Sequence, residues 1–160
     1  APARADPKPH VPQASDPTAG PGRTGAVEPM TLQAFAQRVA AALPPTAGGV
    51  LFSGNADATV TTVAVCGGSG DSFLEAAAGA GVDVYVTADL RHHPALDARE
   101  AALLRGGTPY LVSFSHAASE SLWLAATAQQ LSADLGVATT VSTLNTDPWT
   151  GHIPSRNQGA

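Results

Sequence analysis

Cysteine is nearly absent. The single Cys66 excludes an internal disulfide and any zinc-ribbon ligand set. Charge is also scarce, at 13% of residues against the roughly 25% usual for soluble domains. The eight Lys and Arg are outnumbered by thirteen Asp and Glu, for a formal net charge of -5. Those cations are scattered, so the clustered basic face that releases counterions from nucleic acid is missing. Aromatics are only 5%, and much of the apolar content is alanine. No run approaches the roughly 20 apolar residues of a membrane span. A basic segment followed by an apolar one is missing from the start, so no secretory signal is read and the default compartment is the cytoplasm. Position 1 is Ala rather than Met, which raises the expectation that the chain is a fragment.

What is present divides the 160 residues into three. Residues 1–30 hold seven of the thirteen prolines (Pro2, Pro7, Pro9, Pro12, Pro17, Pro21 and Pro29). Proline lacks a backbone donor and restrains the residue before it, so this stretch reads as a disordered or extended linker. Residues 31–150 read as an α/β domain, and 151–160 as a tail. Within the domain, Thr31 caps a helix whose Leu32, Phe35, Val39 and Leu43 form an apolar stripe, stopped by Pro44-Pro45. Val50 to Phe52 is a short strand. Thr62 to Cys66 is a strand broken by Gly67-Gly68-Ser69-Gly70, after which Ser72 and Glu75 have capping-box spacing for a helix ending at Gly81. Val82 to Thr87 has the continuous apolar character of a strand buried on both faces. Pro94 opens a helix to about Arg105. Tyr110 to Phe114 is another strand, a helix runs from about Ser119 to Leu135, and Ala138 to Ser142 supplies a last strand. Strands alternating with helices imply right-handed crossovers and a mainly parallel sheet with flanking helices.

Ligands bind beyond the carboxyl ends of such strands. Three polar clusters fall there: Gly67 to Asp71, Asp89 to His93, and Ser113 to Glu120. The glycine turn can present amides to an anion, or can simply be a tight turn needing positive φ. His116 and Glu120, four residues apart, meet on one helix face once the helix has begun, and suit zinc or manganese. Two ligands fall short of a full set, and Glu120 could equally serve the helix N-terminus. Of the adjacent His92 and His93, at most one faces the site. Cys66 and Trp123 read as core.

Three segments together point to a family: Val63-Ala64-Val65-Cys66-Gly67-Gly68-Ser69-Gly70, Val82 to His93, and Ser115-His116-Ala117-Ala118-Ser119-Glu120. In order and spacing they resemble the C-terminal half of the GTP cyclohydrolase type-2-like proteins, also called dinuclear metal centre hexameric proteins. The resemblance spans roughly residues 22–150. It implies an α/β fold, a hexameric ring, and two divalent ions (zinc, manganese or iron) per complete subunit. It further implies that His116 and Glu120 are metal ligands, while Gly67, Gly68, Ser69, Gly70, Asp89 and His93 line the site as substrate contacts or supports. The remaining family ligands, a histidine pair and an aspartate, belong to an N-terminal half outside this chain. His92-His93-Pro94 follows Thr87-Ala88-Asp89 and so belongs to the C-terminal half. This chain has Ser113 where the family usually has aspartate, and Ala88 and Ser115 where it has glycine. The function implied is part of a metal-dependent, hydrolase-like protein acting on a substrate such as a nucleotide; no catalytic residue is assigned. The alternatives are a non-catalytic module for oligomer or partner contacts, and a doubly wound nucleotide binder that uses the glycine turn alone.

Overall fold

The computed structural model describes residues 8–9 and 20–154. Among these described residues, six strands form one sheet in the order β1-β2-β4-β5-β6-β3. They are β1 (Lys8–Pro9), β2 (Gly22–Thr31), β3 (Val50–Ser53), β4 (Thr59–Ser69), β5 (Val84–Ala88) and β6 (Tyr110–Phe114). Four helices accompany them: α1 (Leu32–Ala42), α2 (Leu74–Gly79), α3 (His92–Leu103) and α4 (His116–Leu135). Only the centre is parallel: β4 pairs with β5 and β5 with β6 in parallel, while β2, β1 and β3 join antiparallel. The expectation of a mainly parallel sheet is therefore corrected to a mixed one. The crossovers demand parallel strands only at β4-β5-β6, and the flanks arrive by other routes.

The central strands alternate between two cores. Tyr85 and Leu111 face Leu74, Ala77 and Val82 with α2 and α3, whereas Val84, Val86 and Val112 face Leu32 and Phe35 of α1. Every residue of β5 is buried, as its unbroken apolar run demands. Thr31 caps α1, its hydroxyl accepting from the Ala34 amide at 3.1 Å.

Three further expectations are corrected. The Pro-rich stretch read as linker over residues 1–30 contains strand β2 from Gly22, and residues 1–7 and 10–19 lie outside the described residues. Pro29 is accommodated because the β2–β4 register shifts between Ala26 and Met30, where a missing amide breaks no ladder bond. The capping box at Ser72 and Glu75 does not form: a 3-10 turn (Asp71–Phe73) leads into α2 with no side-chain cap. Ala138 to Ser142 forms no strand.

Asp83 latches the parallel centre. Its Oδ2 accepts from the Thr61 amide at 2.8 Å, the Thr61 hydroxyl at 2.7 Å and the Thr62 amide at 2.9 Å. Partial burial works against the charged form, but these donors outweigh it and hold the carboxyl below its ordinary value. A carboxyl so depressed stabilises the fold above its unfolded value near ~3.9, and that contribution is lost as pH falls through the folded value. Asp83→Ala should cost about 2–4 kcal/mol at neutral pH, since three donors lose a charged acceptor. Urea unfolding at neutral and acid pH checks both points: the gap between native and variant should narrow in acid.

Candidate functional site

The carboxyl ends of β4, β5 and β6 lie on one edge of the sheet, because these three strands run parallel. Chain reversal there brings together the glycine turn after Cys66, the turn at Asp89 and the start of α4. The helix begins at His116, three residues earlier than the sequence suggests, with Ser115 as its cap. The Ser115 hydroxyl accepts from the Ala118 amide at 3.4 Å. His116 and Glu120 thus share the first turns of one helix.

Their side chains meet. His116 Nε2 lies 3.0 Å from Glu120 Oε1, and His116 Nδ1 lies 3.6 Å from Asp89 Oδ2. The second separation is an ion-pair distance, longer than a hydrogen bond. All three side chains are partly open to solvent. Asp89 has φ of 59°, a left-handed conformation that aspartate tolerates better than most residues. Its amide donates to the Phe114 carbonyl at 3.1 Å, which ties the strained turn to β6 and holds the carboxylate near the imidazole. Without a cation, the 3.0 Å contact is an Nε2–H donating to the Glu120 carboxylate; a cation between the two would replace that proton, and Nδ1–H would then face Asp89. Imidazole nitrogen and carboxylate oxygen are the donors that zinc, manganese and ferrous iron accept. Because Asp89 lies on the opposite ring nitrogen, it is an orienting group rather than a third ligand to the same ion. Among the described residues, no three His, Cys, Asp or Glu side chains form a complete metal cage.

The glycine turn is wired into this cluster by residues that sequence reasoning missed. The Gly68 amide donates to Ser119 Oγ at 2.9 Å, and Ser119 Oγ donates in turn to the His116 carbonyl at 2.9 Å. The Thr87 hydroxyl donates to the Gly68 carbonyl at 3.1 Å, and the Tyr85 hydroxyl to the Gly70 carbonyl at 3.0 Å. The anion-cradle reading therefore changes: β4 continues through Ser69, and the Gly68 amide already has its acceptor. Ser69 pairs with Ala88 across a register shift. Gly67 has open space around its Cβ direction, so no close contact demands glycine there.

Gly68 is different. It has φ of 68°, and a Cβ there would stand 3.3 Å from Glu120 Oε1 and 3.5 Å from His116 Nε2. Gly68→Ala should cost about 1–2 kcal/mol from backbone strain and push the two side chains apart. Thermal melting and the His116 ring chemical shifts would read the two effects separately.

The His93 ring packs edge-on against that of His92, at 5.2 Å between centroids. His92 lines an apolar groove of about 270 Å³ with Leu51, Phe52, Leu96 and Arg99. Trp123, read as core, is instead 54% exposed on α4, because that helix buries only Ala118 and Ser119. Cys66 is buried, and burial pushes its thiol up against a weaker opposing hydrogen bond with Tyr85; this is core chemistry rather than a nucleophile's. Asp147 is buried and accepts a hydrogen bond from the Ser115 hydroxyl. That bond, with one from the Trp149 amide, holds its carboxyl below the ordinary range. A cleft of about 480 Å³ adjoins Glu120, bounded by Pro44, Pro45, Trp123, Asn145 and Asp147.

Comparison with known proteins gives this arrangement a lineage. Residues 6–148 match the Duf34/NIF3 (NGG1p interacting factor 3) family. The chain is 47% identical over 133 residues to a Mycobacterium leprae protein named GTP cyclohydrolase 1 type 2 homolog, covering 81% of this chain and 33% of that protein. It is 42% identical over 158 residues to a Streptomyces coelicolor protein of the same name, covering 92% and 53% respectively. The crystal structure of a Bacillus cereus protein related to NIF3 superposes with a TM-score of 0.71 at 32% identity, covering 84% of this chain and 36% of that one. The chain thus spans between a third and about half of these relatives. Sequence and architecture agree, and the chain belongs to the Duf34/NIF3 family.

Proposed function

We propose that the chain supplies one side of a divalent-metal centre in a hydrolase-like protein of this family, as a fragment or shortened member. The observation that carries the reading is the 3.0 Å approach of His116 Nε2 and Glu120 Oε1 on α4, with Asp89 against Nδ1. A bound cation would supply Lewis-acid polarisation of an oxygen-rich ligand. The chain's own residues do the rest. His116 and Glu120 present the donors, Asp89 would face Nδ1–H once a cation takes the Nε2 lone pair, and Ser119 and Thr87 fix the glycine turn so that Gly68 leaves room for both donors. Further ligands and the second ion of a dinuclear centre would come from outside the described residues, and assembly as a homo-oligomeric ring belongs to the same proposal. Among the described residues, the cleft beside Glu120 has no lysine or arginine in its lining, so a nucleotide seated there would need its phosphates neutralised by the cations. Calorimetric titration with Zn²⁺ and Mn²⁺ tests the reading: binding that weakens at least tenfold in Glu120→Gln is expected, and no binding by the native chain would refute it.

A non-catalytic docking module is the second reading, favoured by the large apolar side chains that α4 leaves in solvent. Leu122, Trp123, Leu131 and Leu135 stand 56%, 54%, 45% and 66% exposed. Self-association in sedimentation together with no metal binding would favour it.

A further inference from the structure

The stretch after α4 has no regular secondary structure, yet it is tied to the helix at three places. Ser132 Oγ donates to the Val137 carbonyl at 2.7 Å, Thr139 Oγ1 donates to the Ala128 carbonyl at 2.9 Å, and the Ser115 hydroxyl donates to Asp147 Oδ2. Those attachments run from the end of α4 back to its cap, so the chain retraces the helix antiparallel to it. The lengths are nearly matched. Thirteen helical residues from Ser115 to Ala128 rise about 20 Å, and the eight residues from Thr139 to Asp147 reach at most roughly 26–29 Å. Asp147 itself is set rigidly at the far end: its amide donates to Asn145 Oδ1 at 3.0 Å, and its Oδ1 accepts from the Trp149 amide at 2.9 Å.

We propose that the segment 136–149 is a strap and that its Asp147 is a positioning residue for the His116–Glu120 pair. Ser115 Oγ serves two bonds, accepting from the Ala118 amide and donating to Asp147. With the carboxylate in place, the hydroxyl rotor is fixed, its lone pair faces Ala118, and α4 begins at His116. Without it, the rotor is free and the first turn, which carries His116, frays. Holding Ser115 therefore holds the imidazole against Asp89 and Glu120. The consequence for a cation rests on the metal reading; the placement of the helix start does not.

Amide hydrogen exchange and Zn²⁺ calorimetry on the whole chain separate these. In Asp147→Ala, exchange at the Ala118 and Ser119 amides should speed at least tenfold while α1 amides keep native rates, and Zn²⁺ affinity should fall about tenfold, as for other groups that orient ligands. Asp147→Asn, which keeps an acceptor of the same shape, should recover most of both. Ser115→Ala combined with Asp147→Ala should be no worse than either alone, since the two act through one bond. Deleting residues 141–143 leaves five residues to cover about 20 Å, beyond their reach of roughly 17–18 Å, and should reproduce Asp147→Ala. Native exchange at Ala118 and Ser119 in Asp147→Ala would overturn the proposal, as would a loss of protection extending equally to α1. If the native chain takes up no Zn²⁺, the metal reading fails and the exchange rates alone decide the strap.

Discussion

His116→Ala is expected to weaken Zn²⁺ binding by at least 100-fold, the largest functional effect of any single change in this chain. The imidazole is the one nitrogen donor of the cluster, and its removal leaves Glu120 facing Asp89 without the ring between them, two carboxylates that neither order each other nor complete a site. Outer residues that merely orient a ligand typically cost 10–100-fold; a ligand itself costs more. The effect is also visible in stability. A cation at 100 times its dissociation constant stabilises a fold by about 2.7 kcal/mol, which for a domain of this size is roughly 8 °C in melting temperature. Saturating Zn²⁺ should produce that rise in the native chain and none in His116→Ala. Asp89→Asn should lie between them, since it keeps both donors and loses only the negative charge beside Nδ1. A rise of equal size in all three proteins would place the cation elsewhere.

Gly70→Ala is expected to damage the fold as severely as Asp83→Ala, at about 2–4 kcal/mol. A Cβ at Gly70 would collide with the Thr87 hydroxyl and the Tyr85 hydroxyl. Both residues are fully buried on β5, so neither can swing aside. Overpacking of this kind costs about 1–3 kcal/mol, and losing the Tyr85 bond to the Gly70 carbonyl adds about 1 kcal/mol. The same clash moves Thr87 off the Gly68 carbonyl, so the site should loosen with the core. Gly67→Ala is the matching control, since nothing stands near its Cβ direction and surface changes of this kind fall within about ±0.5 kcal/mol. Urea unfolding of the two variants side by side should separate them by at least 2 kcal/mol; equal stabilities would mean that the turn is not held by Tyr85 and Thr87.

The legibility of this chain varied with how local each signal is. The strand at Tyr110–Phe114 and the helix carrying Leu32, Phe35 and Val39 were readable because apolar periodicity and flanking prolines act within a few residues. The pairing of His116 with Glu120 was readable for the same reason, given the helical spacing. The start of α4 was not, because Ser115 and Ser119 both satisfy the cap preference and only the observed bond to the Ala118 amide distinguishes them. Strand β2 was hidden by Pro21 and Pro29, whose effect on a ladder depends on a register shift that no local pattern announces. Ala138 to Ser142 has strand-like composition, yet the Thr139 hydroxyl is spent on the Ala128 carbonyl of α4, and the preceding Val137 carbonyl on Ser132. Trp123 stands in solvent rather than in the core because α4 rests on the sheet through Ala118 and Ser119. Asp147 lies 32 residues from Ser115, and a single carboxylate in a loop carries no local mark of its partner.

The central claim is that one cation binds where the start of α4 meets the glycine turn. Anomalous diffraction from crystals of the chain grown with Zn²⁺ tests it most directly. The account predicts a peak about 2.0–2.2 Å from both His116 Nε2 and a Glu120 carboxylate oxygen, lost in His116→Ala. A peak at His92 and His93 instead, or none at His116 under saturating zinc, would contradict it.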